Sequence, residues 1–340
     1  MSSATIIGID LAKSSFQLHG ASADGAVVFR KKLSRDRVLP FLGAHPKALV
    51  ALEACASAHH WAREIAALGH EVKLIAPIYV KPFVKRQKND AADAEAIAEA
   101  ASRPTMRFVE VKSPDQQGQG MLFRTRDLLV RQRTQSINAL RGHLAEFGIV
   151  APKGPARIDR LALAVDDNAT ALPETVRRLA KLLLGQIGAL TAEITVLEKD
   201  ICRRAPRDPE IARLMTVPGV GAICATAIRA FCPSMEPFNS GRDFAAWVGL
   251  TPRQNSTGGK TRLGRRSKMG QRDIRRLLII GASAVVTSAA RKGPAEGSWL
   301  ARMMARKPRM LVVVALANKM ARTVWAMTIH QEDDRNPAAV

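Results

Sequence analysis

The chain contains few cysteines, and their spacing argues against two common uses of this residue. Its 340 residues include 4 cysteines, which are Cys55, Cys202, Cys224 and Cys232. They form no C-x-x-C pair, and no set of cysteines and histidines has the spacing of a four-ligand zinc site. The sequence therefore predicts neither a zinc site nor a disulfide framework, which fits a reducing cytosol.

Aromatic and acidic residues are also scarce, whereas basic residues are abundant. Aromatic residues make up 4% of the chain, with a single tyrosine, so stacking on single-stranded bases is not expected to be the main source of affinity for a partner. The chain has 30 Asp and Glu against 52 Lys and Arg, which gives a net charge of +22. This excess indicates a polyanionic partner, and the shortage of aromatics favours duplex DNA or structured RNA bound through charge and shape.

Uninterrupted apolar runs of membrane-spanning length are missing too. The most apolar late run, Met310–Ala317, is followed by Asn318 and Lys319, well short of the roughly 20 residues that a membrane span needs. The N-terminus, Met1–Ala4, lacks a basic segment and leads directly into a predicted strand, unlike a signal peptide. We therefore expect a core helix at 310–317, no membrane partner and a cytoplasmic, nucleoid-associated location.

Two carboxylates stand at the ends of predicted strands. Asp10 follows the apolar, β-branched run Thr5–Ile9, and Glu53 follows the run Leu49–Leu52. Such runs predict buried strands, so both side chains are expected at a strand end. An Asp in this position is most often a turn residue, and a Glu can pair with a lysine, so neither carboxylate taken singly indicates catalysis.

Two further carboxylates share one face of a predicted helix. Asp90 and Asp93 lie in the segment Lys88–Ala96, whose acid-rich and alanine-rich start is typical of a helix N-terminus. Their i, i+3 spacing brings two like charges together, and a bound cation would relieve the repulsion. Mg²⁺ suits such hard oxygen ligands and also binds phosphate oxygens. Acids at a helix start also complement the helix dipole without any metal, so both interpretations stay open.

The segments between these acids predict an α/β domain over residues 1–113. Apolar periodicity and turn residues predict four further strands and a helix. In chain order these are strands at 16–19 and 27–29 around the turn Ala23-Asp24-Gly25, a helix at 59–68, a strand at 71–76 and a short last strand at 109–111. The order strand-Asp, strand-Glu, helix-Asp-x-x-Asp resembles the acidic set of a RuvC-like, RNase H-type nuclease domain.

Residues 114–205 predict two long amphipathic helices. Apolar residues recur at spacings of three and four over 116–147 and again over 173–202, and the segment 148–155 ends the first helix. Two such helices fit a coiled-coil arm, and they fit equally well an ordinary antiparallel pair packed on the nuclease domain. Periodicity alone does not decide between these structures.

The last region, 206–340, contains a glycine-rich turn. The stretch Leu214–Ala222 resembles the hairpin of a helix-hairpin-helix element, in which glycines let backbone N–H groups approach a phosphate. A Pro-Gly turn between two ordinary helices is the alternative, and it requires no DNA.

The segment from Arg253 to Arg276, which follows this turn, is strongly basic, and Asp273 is its single acid. A solvated surface normally mixes both signs of charge, so this bias predicts contact with phosphates. The basic residues are Arg253, Lys260, Arg262, Arg265, Arg266, Lys268, Arg272, Arg275 and Arg276. The fragment Gly259-Lys260-Thr261 is not part of a P-loop, because Gln254 stands where the Walker pattern needs glycine and no buried strand precedes it.

Ser256 lies within this basic segment, shortly before Gly258 and Gly259. Neighbouring guanidinium groups lower the cost of an alkoxide and of a charged phosphorane, and glycines permit close approach of the backbone, which would suit a nucleophile toward a phosphodiester. A serine in an Asn-Ser-Thr-Gly-Gly loop is far more often a turn residue, and the local sequence by itself favours that role.

Taken together and in this order, the motifs resemble those of the DEDD transposases of the IS-one-ten family, which are bridge-RNA-guided recombinases. The likeness covers nearly the whole chain. It is carried by Gly8–Lys13, Leu52–Ala54, Lys88–Ala94, Val217–Gly221, Gly249–Pro252 and Ser256–Lys260.

The resemblance implies a fold and a set of partners. The fold would comprise a RuvC-like domain at 1–113, a coiled-coil segment at 114–205 and a mostly helical transposase domain at 206–340. The partners would be target and donor DNA, together with a structured noncoding bridge RNA whose loops pair with both DNAs. The protein would form a homo-oligomer, as a dimer and as a tetramer in the synaptic complex, in which acidic and serine domains can come from different subunits.

The resemblance also implies roles for five residues. Asp10, Glu53, Asp90 and Asp93 would form the DEDD set that binds Mg²⁺, and Ser256 would be the nucleophile. We therefore predict a DNA recombinase that works through a phosphoserine intermediate. Two alternatives stay open: a RuvC-like, Mg²⁺-dependent nuclease or resolvase that uses only the acids and water, and a noncatalytic DNA-binding protein in which the acids are structural.

Overall fold

The structure is a computed structural model that describes residues 4–85, 89–152, 154 and 157–333. Four sets of residues discussed above lie outside this part of the chain. They are residues 1–3 of the N-terminus, Lys88 of the acidic motif, residues 153 and 155 after the first long helix, and residues 334–340 of the third predicted domain.

The chain divides into two compact units, Met1–Pro114 and Asp115–Val340. The finer division into three domains, with boundaries at 113/114 and 205/206, stays a prediction.

A six-stranded mixed sheet forms the centre of the first unit. Its strands are β1 (Ile6–Asp10), β2 (Ser15–Ala21), β3 (Val27–Ser34), β4 (Leu49–Glu53), β5 (Glu71–Ile75) and β6 (Phe108–Val109). Across the sheet the order is β3-β2-β1-β4-β5-β6. β1 pairs antiparallel with β2 but parallel with β4, which in turn pairs parallel with β5. Central parallel strands are covered on both faces, which explains why β1 and β4 are continuous apolar runs. The predicted α/β fold is confirmed, and it is consistent with an RNase H-like domain.

Four helices accompany this sheet. They are α1 (Arg35–Gly43), α2 (Ala58–Ala67), α3 (Pro77–Val80) and α4 (Asp90–Ala101), and a short 3₁₀ helix follows α3. The predicted hairpin, the helix at 59–68 and the strand at 71–76 are confirmed, whereas the last strand lies at 108–109 instead of 109–111. Sequence patterning missed α1, because Pro40 lies inside it and its buried residues are only Val38 and Leu42.

Two long helices and a shorter one begin the second unit. They are α5 (Pro114–Ala145), α6 (Ile158–Asp166), which was not predicted, and α7 (Glu174–Arg204). α5 and α7 run antiparallel, because Arg126 early in α5 binds Glu198 late in α7, whereas Leu144 late in α5 shares an apolar cluster with Ala180 early in α7. The buried residues of α7 recur every seven positions, at Ala180, Ile187, Ile194 and Ile201. This is coiled-coil spacing, but a coiled-coil arm stays a prediction.

The rest of the second unit is mostly helical, as predicted. Its elements are α8 (Pro209–Leu214), α9 (Ala222–Phe231), α10 (Gly241–Val248), β7 (Pro252–Gln254), β8 (Leu263–Arg266), α11 (Arg272–Lys292), α12 (Trp299–Arg306) and α13 (Arg309–His330). By length and composition alone, α13 and the segment 174–207 could cross a membrane. The core position predicted for 310–317 is confirmed from Val312 onward, where α13 buries Val313 and Leu316 in the main apolar cluster, whereas Met310 and Leu311 are exposed.

The glycine-rich turn between α8 and α9 packs against α11. Gly219 adopts a positive φ of 88°, and a Cβ on it would lie 2.9 Å from the carbonyl oxygen of Gly281 in α11. A Cβ on Gly281 would in turn overlap the carbonyl of Gly219. This close backbone contact requires both glycines without any phosphate, so the helix-hairpin-helix role of the turn stays a prediction.

Candidate functional site

Parallel pairing brings Asp10 and Glu53 to the same edge of the sheet. The register pairs Ile9 of β1 with Leu52 of β4, and each strand ends one residue later, at the carboxylate. Side chains at equal register positions of parallel strands project from the same face. The two acids predicted at strand ends are therefore neighbours in the first unit.

α4 brings Asp90 and Asp93 to this edge. Its N-cap is Asn89, whose side-chain oxygen accepts the Ala92 N–H at 2.8 Å and so fixes the first helical turn. One carboxylate oxygen from each of Asp10, Asp90 and Asp93 lies within 4.8 Å of the others. Asp90 is exposed, and the other two are half-buried. Two segments that are far apart in the sequence, β1 and α4, thus form one open acidic cluster.

The electrostatics of this cluster favour a bound cation. Burial, followed by the charges of Asp93, Asp90 and Glu53, raises the pKa of Asp10 from 3.8 to about 6. Glu53 therefore acts on Asp10 through its charge. Burial and the charges of Glu53 and Asp10 also raise the pKa of the Cys55 thiol beside them. Carboxylate oxygens that repel one another at an accessible site are the donor set that suits a hard divalent cation, so these residues fit a metal.

Gly8 allows α4 to approach the sheet closely. It lies two residues before Asp10 on the same face of β1, the face that α4 covers. A Cβ at Gly8 would overlap the Ala94 carbonyl oxygen and would lie 2.6 Å from the Ala98 nitrogen. Sequence reasoning quoted Gly8 within a motif but gave it no role. The signal was a glycine inside a buried strand, which often marks close approach of another backbone.

We expect Gly8→Ala to separate the acids of β1 from those of α4. The added methyl group must push α4 outward, so metal affinity should fall at least about tenfold, with a loss of stability of roughly 1–3 kcal/mol. Mg²⁺-induced stabilisation, followed by thermal unfolding, measures the effect.

Gly20→Ala is the matched control for this prediction. Its Cβ would overlap the Phe29 ring, so the variant overpacks the same sheet, and the three nearest atoms all belong to Phe29 and not to α4. It should cost stability but keep Mg²⁺ stabilisation. Equal Mg²⁺-induced stabilisation of Gly8→Ala and Gly20→Ala would contradict the role assigned to Gly8.

An ion-pair cluster anchors α4 one turn beyond the acids. Glu95 binds Arg30 of β3 at 3.0 Å and Lys85 at 2.7 Å. The hydrogen bond from Lys85 is the main cause of the lowered pKa of Glu95. These residues were not predicted, because partners 65 positions apart in the sequence leave no local pattern. The cluster ties α4 to the sheet.

Ser256 lies in the second unit, near the tip of an exposed β-hairpin. β7 and β8 pair antiparallel, and Gly258 and Gly259 both adopt positive φ, which is typical of a type I′ turn. Ser256 is exposed, and its Oγ accepts the Arg262 N–H at 3.3 Å. The hydroxyl therefore keeps its own hydrogen available while a backbone donor orients the oxygen.

The predicted basic residues divide into two groups. Most of them lie exposed on the hairpin or beside it, namely Arg253, Lys260, Arg262, Arg265, Lys268 and Arg272, with Arg266 half-buried. The guanidinium groups of Arg275 and Arg276 instead bind other residues of the second unit. Arg275 donates to the carbonyls of Val248 at 2.8 Å and Met269 at 2.7 Å, and Arg276 binds Asp127 of α5. These two hold the base of the hairpin against its surroundings.

Family comparisons cover both units. A family model described as "Transposase IS116/IS110/IS902 family" matches residues 211–295, the region of α8 to α11 that includes Ser256. A second transposase model, of the DEDD type of IS110, matches residues 7–149, which include all four acids.

Curated relatives align over almost the whole chain. A "Probable family 20 transposase" of Pseudomonas aeruginosa is 48% identical over 94% of this chain and 96% of its own length. The "Transposase for insertion sequence element IS1328" of Yersinia enterocolitica is 42% identical over 96% of this chain and 98% of its own. The corresponding protein of element IS1111A in Coxiella burnetii is 36% identical, over 97% and 91%.

Proposed function

Because this chain belongs to the IS116/IS110/IS902 family of insertion-sequence transposases, we propose that it cuts and rejoins DNA through a covalent bond between DNA and Ser256. Asp10, Glu53, Asp90 and Asp93 would hold the Mg²⁺ that this chemistry requires. The observation that carries the proposal is the convergence of three carboxylates to within 4.8 Å, in a family whose members process DNA.

The acids concentrate negative charge so that Mg²⁺ can bind among them, and this cation would in turn attract the phosphodiester. Partial burial and the repulsion of the neighbouring carboxylates raise the pKa of Asp10 to about 6, so its charged form is destabilised when no cation is present. A bound Mg²⁺ would supply Lewis-acid polarisation of a phosphate oxygen and stabilisation of a leaving oxygen. Asp90, exposed at the start of α4, lies where a ligand can enter from solvent.

Ser256 would form and break the bonds to phosphorus. Its Oγ attacks the phosphodiester, loses its proton, and displaces one deoxyribose oxygen, which leaves as a hydroxyl after taking up a proton. A hydroxyl of the second DNA then loses its proton and attacks the phosphoserine, and Oγ leaves and takes up a proton, which restores the serine hydroxyl. The exposed cations of the hairpin stabilise the additional negative charge of each phosphorane and hold the strand in place.

Selection of the DNA sequence would rest with an RNA. The protein has abundant cations for phosphates and few aromatic rings for unstacked bases, so its own contacts favour backbone over sequence. A bridge RNA that pairs with target and donor DNA would supply specificity. A homo-oligomer, a dimer and then a tetramer at synapsis, would bring the two DNAs together.

Recombination in a purified system tests the proposed guidance. RNA that co-purifies with the protein is sequenced, and donor and target plasmids are incubated with protein alone, with this RNA, and with a scrambled RNA of equal length. We expect site-specific joining only with the genuine RNA, and a redirected target when its pairing loops are rewritten. Site-specific joining by protein alone, or an unchanged target after rewriting, would contradict guidance.

A further inference from the structure

A second cluster of basic residues lies at the end of α11 that is remote from the hairpin. It includes the last turn of α11, the exposed face of α12 and the start of α13. Its members, which we call the distal basic surface, are Arg291, Lys292, Arg302, Arg306, Lys307 and Arg309. All six are exposed, and none of them belongs to the basic segment around Ser256.

Local contacts hold these residues in one place. Arg309 at the start of α13 donates to Thr287 Oγ1 of α11 at 2.7 Å, and Arg291 lies one helical turn after Thr287 on the same face. Arg302 and Arg306 are one turn apart on α12, where Nε of Arg306 donates to the Arg302 carbonyl at 3.3 Å. The guanidinium groups therefore sit on three packed helix ends and are not scattered over the surface.

The charge of this surface is not balanced from within the protein. Among residues 288–320, all of which the structure describes, Glu296 is the single acid. Within the described part of the chain, none of the six cations forms an ion pair. Arg203 and Arg204 behave differently, since Asp200 binds them at 2.7 and 2.9 Å. Clustered like charges cost folding stability, so their presence indicates a polyanionic ligand.

α11 also separates this surface from the hairpin. Its 21 residues span about 30 Å at the usual helical rise, with Arg272 of the hairpin-side segment at one end and Lys292 at the other. That distance approaches one turn of duplex DNA, roughly 34 Å. A phosphate held beside Arg272 is therefore about 30 Å from one held beside Lys292.

We propose that the distal basic surface is a second DNA-binding site, which grips the phosphate backbone of duplex DNA about one helical turn from the phosphates held at the Arg272 end of α11. The choice of DNA rests on the proposed function, whereas the binding of a phosphate backbone rests on the charges alone. Stacking on unpaired bases is not part of this contact, because the one aromatic ring among residues 288–320, Trp299, is half-buried, with the ammonium group of Lys319 at 5.2 Å from its centroid.

The test compares two double variants that remove the same charge. Arg306→Gln with Lys307→Gln alters the distal surface, and Arg203→Gln with Arg204→Gln alters two cations that share an ion pair with Asp200. Both pairs are exposed, so folding should survive, which thermal unfolding checks. All proteins also carry Ser256→Ala, so that binding is measured without cleavage and independently of the proposed chemistry.

Affinity for a 30-base-pair DNA duplex is then measured over a range of salt concentrations. We expect the distal variant to lose affinity roughly tenfold and to lower the slope of log K against log salt by about 2, since each phosphate contact contributes about 0.9. The control should change neither quantity by more than about twofold. If the distal pair misfolds, Arg291→Gln with Lys292→Gln replaces it with the same expectation.

Three outcomes would overturn this proposal. They are an unchanged slope in the distal variant, an equal loss in the control, and a loss confined to an RNA duplex of the same length, which would assign the surface to RNA. None of them bears on whether Ser256 attacks DNA, so failure here is distinguishable from failure of the proposed function.

Discussion

Ser256→Ala should abolish the covalent protein–DNA adduct and lower strand joining by at least about a thousandfold, while DNA binding stays within about twofold of wild type. Loss of the nucleophile removes the bond to phosphorus itself, whereas one neutral hydroxyl adds little to an interface made of many phosphate contacts. Stability should change little, because the Arg262 N–H that Oγ accepts is exposed and can bind water instead. A denaturing gel with labelled DNA measures the adduct.

Ser267→Ala provides the control for this prediction. Ser267 follows β8 in the same basic segment, and its backbone N–H donates to the Thr251 carbonyl at 2.8 Å, so the variant keeps that contact. Its adduct should match that of wild type. Persistence of the adduct in Ser256→Ala together with its loss in Ser267→Ala would move the nucleophile to the other serine.

Substitution of the acidic residues is expected to have the second large effect. Asp10→Asn, Asp90→Asn and Asp93→Asn should each reduce Mg²⁺-dependent cleavage by at least about a hundredfold, because each removes a charged ligand from the cluster. In metal-free buffer near pH 8, Asp10→Asn should melt at a higher temperature than wild type. The reason is that repulsion and burial penalise the ionised form of Asp10.

The sign of this stability difference follows from linkage. The pKa of Asp10 is raised to about 6 in the folded protein from 3.8, so the folded state binds the proton more tightly than the unfolded state. Wild type therefore loses stability as the pH rises from about 4 to about 6, whereas the amide does not titrate. The melting difference should be present at pH 8 and shrink toward pH 4, which differential scanning fluorimetry can follow.

Asp24→Asn is the matched control for the melting experiment. The hydrogen bond from Ser22 lowers the pKa of Asp24, so its loss should destabilise the same unit slightly at pH 8. A rise in melting temperature for both variants would show that any loss of negative charge stabilises the protein. Full cleavage activity in Asp93→Asn would remove Asp93 from the metal set.

The same experiments separate the two rival functions. Metal-dependent cleavage without any adduct in wild type would fit a RuvC-like nuclease that uses water, with the acids as its whole site. DNA binding with no cleavage under any metal would fit a noncatalytic protein, in which Asp90 and Asp93 only stabilise the start of α4.

Sequence patterns predicted the positions of the acids because each lies at a boundary with a strong local signal. Continuous β-branched runs predicted the strands that end at Asp10 and Glu53, and the acid-rich, alanine-rich start predicted α4. Their convergence was not readable from those signals. It depends on the parallel register of β1 with β4 and on the space that Gly8 leaves for α4.

Long-range contacts also explain why other features of the structure could not be predicted from the sequence. In the sequence, Arg275 and Arg276 cannot be distinguished from the other basic residues of the segment. Their partners Val248 and Asp127 lie 27 and 149 residues away, so the contacts that these two arginines make within the protein could not be predicted. α1 was missed because it contains a proline and buries few residues. The hairpin tip, by contrast, follows from its Gly258-Gly259 pair, since a type I′ turn needs positive φ at both central positions.

The most direct measurement is the mass of the peptide that carries the DNA. Wild-type protein is trapped with donor DNA in Mg²⁺, digested with nuclease and then with trypsin, and analysed by tandem mass spectrometry. Cleavage after Arg253 and Lys260 releases residues 254–260, whose only hydroxyl side chains are Ser256 and Thr257. We expect a nucleotide phosphate on this peptide, with fragment ions that place it on Ser256. A nucleotide on any other residue, or cut DNA with no modified peptide, would contradict covalent catalysis by Ser256.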